Sequence, residues 1–217
     1  MYKRQLYNES EAGGAIYPTP VIGMVGLLED YTKRVDAAFK EEGDFVLMIG
    51  ASGNDLGGSE YLKVVFGQVA GRPPAIDLAA EKAVREFILA AAKAGLLRSA
   101  HDCAEGGMLV ALAESCLLGG LGVRCPELRV DGDLRLDAGF FGESQSRFII
   151  SAGSRAMPEL QVLARRHHVE FEMLGNVRGS SIVFEGQVEV DLAELRQEWE
   201  QALLTPPQPS PVGRGTA

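Results

Sequence analysis

The chain has 217 residues, 46% hydrophobic and 24% charged, with a formal net charge of −9, enough apolar material for one good core or for one domain plus part of another. That negative balance gives no electrostatic reason to expect nucleic acid or an anionic membrane as a partner, and no apolar run approaches the roughly 20 residues that cross a bilayer. Three cysteines, Cys103, Cys116 and Cys125, lack the paired spacing of a zinc site, and Met1 to Ser10 is polar and charged rather than a leader, so a reducing, cytoplasmic setting is expected.

Ala15 to Leu28 is punctuated by Gly and Pro but rich in Val21, Ile22, Met24, Val25, Leu27 and Leu28, which reads as one or two strands lacking neighbours. An isolated hairpin is marginal in water, so these residues require a sheet from elsewhere, a first sign of truncation. Phe45 to Ile49 is a compact apolar strand followed by a Gly-rich loop that runs to Glu60. Asp77 is placed as the N-cap of a helix through Leu97, whose Val84, Phe87, Ile88 and Ala91 follow helical spacing.

A second helix follows His101 to Gly107, carries Met108, Leu109, Leu112, Ala113 and Cys116 on one side, and stops at Gly119 and Gly120. Strands are expected around Val123 to Val130 and Arg147 to Ser151. A helix opens near Pro158 and ends near His168, with Leu160, Leu163 and Ala164 inward. Two or three strands fill Val169 to Val190, and Leu192, Leu195, Trp199 and Leu203 mark a last amphipathic helix. From Thr205 the chain is Pro- and Gly-rich with little to bury, and a disordered tail is expected. The mixed order of elements makes the fold class α+β, or irregular α/β.

Three polar elements interrupt this apolar frame. In Gly50 to Glu60, glycines at 50, 53, 57 and 58 let backbone amides turn toward an anion, but the spacing is neither a dinucleotide fingerprint nor a Walker A loop, and a plain connection is the alternative. In His101 to Gly107, Asp102 and Glu105 are three apart and share a face if they lie in a helical turn, where two carboxylates suit a magnesium ion bridging to nucleotide phosphates. The alternative there is an Asp N-cap with acidic residues favoured by the helix dipole. His101 has no second histidine nearby in sequence and reads as a hydrogen-bonded structural residue. In Phe141 to Arg147, Ser144 and Gln145 offer donors to phosphate or amide oxygens, or the segment is a solvated turn. Cys103 lies beside Asp102 and Glu105, anionic neighbours that disfavour a thiolate, so a catalytic cysteine is not expected.

Five segments occur in a characteristic order: Leu6-Tyr7-Asn8-Glu9, Ala15-Ile16-Tyr17-Pro18-Thr19-Pro20-Val21-Ile22-Gly23, Leu56-Gly57-Gly58-Ser59-Glu60-Tyr61, His101-Asp102-Cys103-Ala104-Glu105-Gly106-Gly107 and Phe141-Gly142-Glu143-Ser144-Gln145-Ser146-Arg147. In that order they resemble the second half of formylglycinamide ribonucleotide amidotransferase, the synthetase of purine biosynthesis, over nearly everything from Leu6 to about Val190. Each half of that synthetase resembles aminoimidazole ribonucleotide synthetase, a β-rich domain followed by an α/β domain. The resemblance therefore implies the end of a β-rich domain over residues 1–36, the final α/β domain over 37–204 and a tail over 205–217.

It also implies an ATP-dependent conversion of an amide to an amidine, in which the amide oxygen is phosphorylated and glutamine-derived ammonia displaces phosphate. This chain departs from the family at Tyr2-Lys3-Arg4-Gln5, where members carry Gly-Asn-Val-Ser, and it lacks the family's catalytic histidine, so no catalytic residue is carried over and the chain is expected to be inactive alone. What the resemblance leaves is an auxiliary site for ATP or ADP, with Gly57, Gly58, Ser59, Gly106, Gly107, Glu143, Ser144 and Gln145 around the nucleotide and Asp102 and Glu105 on magnesium. The implied partners are the remainder of the synthetase, a glutaminase subunit and a small subunit of the complex, with self-association through the exposed strands near the N-terminus. A stand-alone nucleotide-binding or regulatory module is the alternative reading. Related ATP-using enzymes, such as the aminoimidazole ribonucleotide, thiamine monophosphate or selenophosphate enzymes, fit the Glu-Ser-Gln and Leu-Gly-Gly-Ser-Glu-Tyr segments less well.

Overall fold

The computed structural model describes residues 22–130 and 132–204. The chain divides into two units at Thr32 and Lys33. In the described part of the first unit, Ile22, Met24, Val25 and Leu27 are exposed and unpaired, so the strands expected through Leu28 do not form over 22–28. The remainder of that expectation, and the tail beyond Leu204, lie outside the described residues.

The second unit is built on a seven-stranded sheet. Its first strand, β1 (Phe45–Ile49), is apolar throughout because it is buried on both faces: Val46 and Met48 point into one core, Leu47 and Ile49 into the other. β4 (Phe148–Ala152) repeats the pattern, with Ile149 in the first core and Ile150 and Ala152 in the second, and pairs antiparallel with β1 at Leu47↔Ile150 and Met48↔Ile149. The other strands are β2 (Ser99–Asp102), β3 (Val123–Cys125), β5 (Phe171–Val177), β6 (Ser181–Phe184) and β7 (Val188–Asp191). Their order is β2-β4-β1-β5-β3-β6-β7, and every pairing is antiparallel except β3 with β6.

Helices cover both faces, as the α+β expectation requires. α2 (Leu78–Lys93) and α5 (Met157–His167) bury Val84, Phe87, Ala91, Leu160 and Ala164 in the second core, while α3 (Gly107–Gly119) buries Met108, Ala111, Leu112 and Cys116 in the first. α6 (Leu192–Leu204) joins that first core through Leu192. Two short helices, α1 (Glu60–Phe66) and α4 (Leu136–Phe141), complete the unit.

Several boundaries differ from expectation. α2 ends at Lys93 rather than Leu97, because Gly95 takes a left-handed φ of 71° and turns Leu96 and Leu97 back into the core. β3 stops at Cys125, five residues short of Val130. The largest correction concerns His101 to Gly107: Asp102 does not lie in a helical turn but closes β2, paired with Phe148, and the helix starts only at Gly107. Asp77 does cap α2, its Oδ1 accepting from the amides of Ala79 at 2.8 Å and Ala80 at 3.1 Å. Replacing it, Asp77→Ala, is expected to cost about 1 kcal/mol of unfolding free energy. Phe87→Ala, in the fully buried face of the same helix, is expected to cost about 3–5 kcal/mol, both read from urea denaturation midpoints at unchanged slope.

Candidate functional site

The segment joining α4 to β4 is fixed from below by Arg147. Its side chain is fully buried, 2% exposed. Nε donates to the Ser144 carbonyl and Nη1 to Ser52 Oγ, both at 3.0 Å, and Nη2 donates to the Gly142 carbonyl. Among the described residues no ion pair within 4.0 Å involves it. Burial pulls its pKa below the ordinary value, while Cys103, Asp55 and Glu143 act in the opposite direction. A buried charge is tolerable when hydrogen bonds replace its hydration, and here those bonds stitch the 142–147 loop to the Gly-rich loop after β1.

Glu143 makes the second tie. Its Oε1 accepts from the amides of Gly106 at 2.8 Å and Glu60 at 2.9 Å, so one carboxylate serves the N-terminal ends of α3 and α1, where the backbone presents unpaired donors. Its own amide donates to the Asp55 carbonyl at 2.9 Å. Ser144 Oγ accepts from the Gly53 amide at 2.9 Å and donates to Asp55 Oδ2 at 2.6 Å. Ser146, in the left-handed region at φ 61°, donates to Glu81 Oε2 at 2.6 Å. Gln145, held by a 3.2 Å bond to the Glu143 carbonyl, is the exposed member of the series.

The glycine pairs serve close packing. A Cβ on Gly57 would meet the Arg72 carbonyl oxygen at 2.1 Å, and the Gly58 amide is taken by the Ala70 carbonyl at 2.8 Å. Ser59 caps α1, accepting from Leu62 N and donating to the Leu56 carbonyl. Gly107, at φ 70°, lets α3 approach the end of α4, where a Cβ would lie 2.5 Å from the Gly142 oxygen. The amides of Gly58, Gly106 and Gly107 are thus engaged within the chain.

Beside the 142–147 loop lies a cavity of about 460 Å³ lined by Glu81, Asp102, Glu105, Glu143, Gln145, Ser146 and Arg147 among others. It brings Asp102 and Glu105 together although they do not share a helix face. A second cavity of about 290 Å³ adjoins Gln145 and Ser146 and is lined by Gly50 to Gly53, Asp55 and Ser144. Gly57, Gly58, Ser59, Gly106 and Gly107 line neither. A third cavity, about 560 Å³, is walled by Met48, Val84, Met108, Leu128 and Phe171 together with Arg129, Glu170 and Glu172, and contains none of the three polar segments' carboxylates. Of the residues expected at a ligand site, Asp102, Glu105, Glu143 and Gln145 line the 460 Å³ cavity.

His101 Nδ1 lies 2.7 Å from the Asp102 carbonyl oxygen and Nε2 lies 2.9 Å from a Glu114 carboxylate oxygen, which fits the structural role expected of it. Burial pushes the Cys103 thiol up to about 11, opposed by Arg147 and reinforced by Asp102, so exclusion of water outweighs the anionic neighbour in keeping the thiol protonated. No group of three or more His, Cys, Asp or Glu among the described residues forms a metal cluster. Two carboxylates in a polar cavity fit magnesium shared with phosphates rather than a cage built wholly of protein. Glu81 lines the acidic cavity and Asp55 the neighbouring one; neither carries a local sequence signal for a site, since the helix cap and apolar stripe that mark α2 say nothing of Glu81.

Residues 41–185 match the family described as AIR synthase related protein, C-terminal domain. The chain belongs to this family. It is 45% identical over 201 residues to the phosphoribosylformylglycinamidine synthase subunit PurL of Moorella thermoacetica, covering 91% of this chain and 27% of that protein. It is 42% identical over 205 residues to the PurL subunit of Anaeromyxobacter sp., with the same coverage. The chain thus spans about a quarter of the length of these relatives. In fold, the AIR synthase related domain is similar to Thermotoga maritima PurL complexed with FGAR, at a TM-score of 0.64 and 21% identity over 86% of this chain and 32% of that one. The same protein complexed with ATP gives 0.58 and 22% over 76% and 27%.

Two outcomes test this geometry. Arg147→Met is expected to destabilise the domain by about 3 kcal/mol, because the carbonyls of Gly142 and Ser144 lose a charged donor in a buried place; Arg147→Lys recovers part of that, measured by chemical denaturation. The thiols at Cys103, Cys116 and Cys125 stand at about 11, 12 and 12 in the fold against an ordinary 9.0. The folded state then holds protons that the unfolded chain releases, so stability falls as pH rises above 9, by up to about 1.4 kcal/mol per pH unit for each thiol. Unfolding curves between pH 8 and 10.5 read this, and at pH 8 a thiol reagent labels these cysteines only after denaturation.

Proposed function

We propose that the chain is the final AIR-synthase-type domain of a phosphoribosylformylglycinamidine synthase, acting with the rest of that enzyme, and that its acidic cavity is an auxiliary site for a magnesium nucleotide. The observation that supports this most is identity of 45% to a PurL subunit across 91% of the chain. The convergence of Asp102, Glu105 and Gln145 on one cavity adds a place for the ligand. The parent reaction converts formylglycinamide ribonucleotide to the amidine with ATP and glutamine. On this reading the chain contributes to that reaction only together with the rest of the enzyme. Its partners on this reading are the remainder of the synthetase, a glutaminase subunit and a small subunit.

The residues divide the work. Arg147 and Glu143 hold the loop, and Ser144 locks it to Gly53 and Asp55. Asp102 and Glu105 supply hard oxygen donors for magnesium, and Gln145 supplies an amide for a phosphate oxygen. Magnesium, when bound, offsets the repulsion between these carboxylates and the nucleotide's phosphates. Charge positioning of this kind needs no nucleophile, in keeping with the protonated, buried Cys103.

Calorimetric titration with ADP and ATP, with and without magnesium, tests the site. Magnesium-dependent binding is expected, weakened at least 10-fold in Asp102→Asn and in Glu105→Gln. Absence of heat and of thermal stabilisation at millimolar nucleotide removes the auxiliary site and leaves the domain a structural part of the enzyme.

A further inference from the structure

We infer that α1 is the seat of a protein partner, and that this partner is the portion of a PurL-type polypeptide lying outside the quarter this chain spans. The inference rests on the proposed function and locates a surface that reading leaves unplaced. α1 has no buried residue. Its last turn presents Val64 at 76%, Val65 at 57% and Phe66 at 55% exposed, and Val69 follows at 83%. Three consecutive exposed apolar residues on a soluble domain mark a surface that something covers.

The described residues of the domain leave all four of these side chains more than half exposed. A seven-residue helix has little stability of its own in water, yet α1 is held in place. Ser59 caps it, Glu143 binds its first amide at 2.9 Å, and the Tyr61 ring stacks on Phe141 at 4.7 Å with an interplanar angle of 9°. Tyr61 also meets the Phe66 ring edge-on at 5.7 Å, yet Phe66 stays 55% exposed, and Val64, Val65 and Val69 project beyond these ties. The occupant follows from length. Relatives align over 91% of this chain but only 27% of themselves, so in them nearly three quarters of the polypeptide is available to cover this domain.

The seat is also joined to the candidate site. Glu143 lines the acidic cavity and bonds the Glu60 amide through the same oxygen that bonds Gly106. A partner resting on α1 therefore bears on the carboxylate that fixes one wall of that cavity.

The test is thiol accessibility, run without nucleotide so that its result does not depend on the auxiliary site. Val65→Cys is introduced into this chain, and the aligned position is changed to cysteine in intact Moorella thermoacetica PurL. Maleimide labelling at each position is followed by peptide mass spectrometry. The exposed Leu118, changed to Cys in a separate variant, reports the labelling rate of an open site on this domain. The inference expects rapid, concentration-independent labelling at position 65 of this chain, matching the 118 variant, and labelling at least 10-fold slower at the aligned position of intact PurL. Equal rates in the two proteins overturn it. So does labelling in this chain that slows as its concentration rises, since a second copy then covers the face.

Discussion

The guanidinium of Arg147 is the constraint on which the site depends. It is buried with carbonyl and hydroxyl oxygens for partners and, among the described residues, no carboxylate within ion-pair distance, so its charge is stabilised by backbone held in one arrangement. Because those acceptors belong to two loops separated by some ninety residues, Ser52 in one and Gly142 and Ser144 in the other, the cation sets the spacing between them. Glu143 and Ser144 then complete the joint from above. The two loops meet because β1 and β4, which carry them, are paired neighbours inside the sheet and covered on both faces.

This arrangement changes what the polar motif means. Read as a string, Glu143-Ser144-Gln145 offers three ligand-facing groups. In the fold, Glu143 accepts two helix amides and Ser144 accepts one amide while donating to Asp55. Their hydrogen-bonding capacity is used largely inside the chain, and Gln145 alone of the three is exposed. The glycines follow the same logic, since Gly57 and Gly107 permit backbone approaches that any Cβ would prevent.

Much of the frame was legible because its signals are local. Phe45–Ile49 is an uninterrupted apolar run of strand length, and α2 combines a capping Asp77 with an apolar stripe that recurs at helical spacing. β2 was not legible: Ser99 to Asp102 carries a histidine and an acid, residues with weak strand preference, and becomes a strand because β4 pairs with it some fifty residues later. α1 and α4 are too short for periodicity to declare them, and both are stabilised by contacts with other segments. The role of Arg147 was hidden for a different reason. A charged residue beside a polar run reads as solvated, and its burial is a property of the whole sheet.

The electrostatics of the acidic cavity follow from how unevenly its carboxylates are compensated. Glu143 accepts the amides at two helix N-termini and Glu81 accepts the Ser146 hydroxyl, so protein donors replace part of the hydration of these two carboxylates. Asp102 is two-thirds exposed and Glu105 is exposed, and solvent supplies most of their stabilisation. Any ligand that displaces that water must replace it with positive charge, because Arg147 is already committed to carbonyls below. A bare polyphosphate would add repulsion instead. A phosphate that arrives with a divalent cation removes the conflict, so under the proposed reading magnesium dependence, more than nucleotide affinity as such, is what the cavity is expected to show.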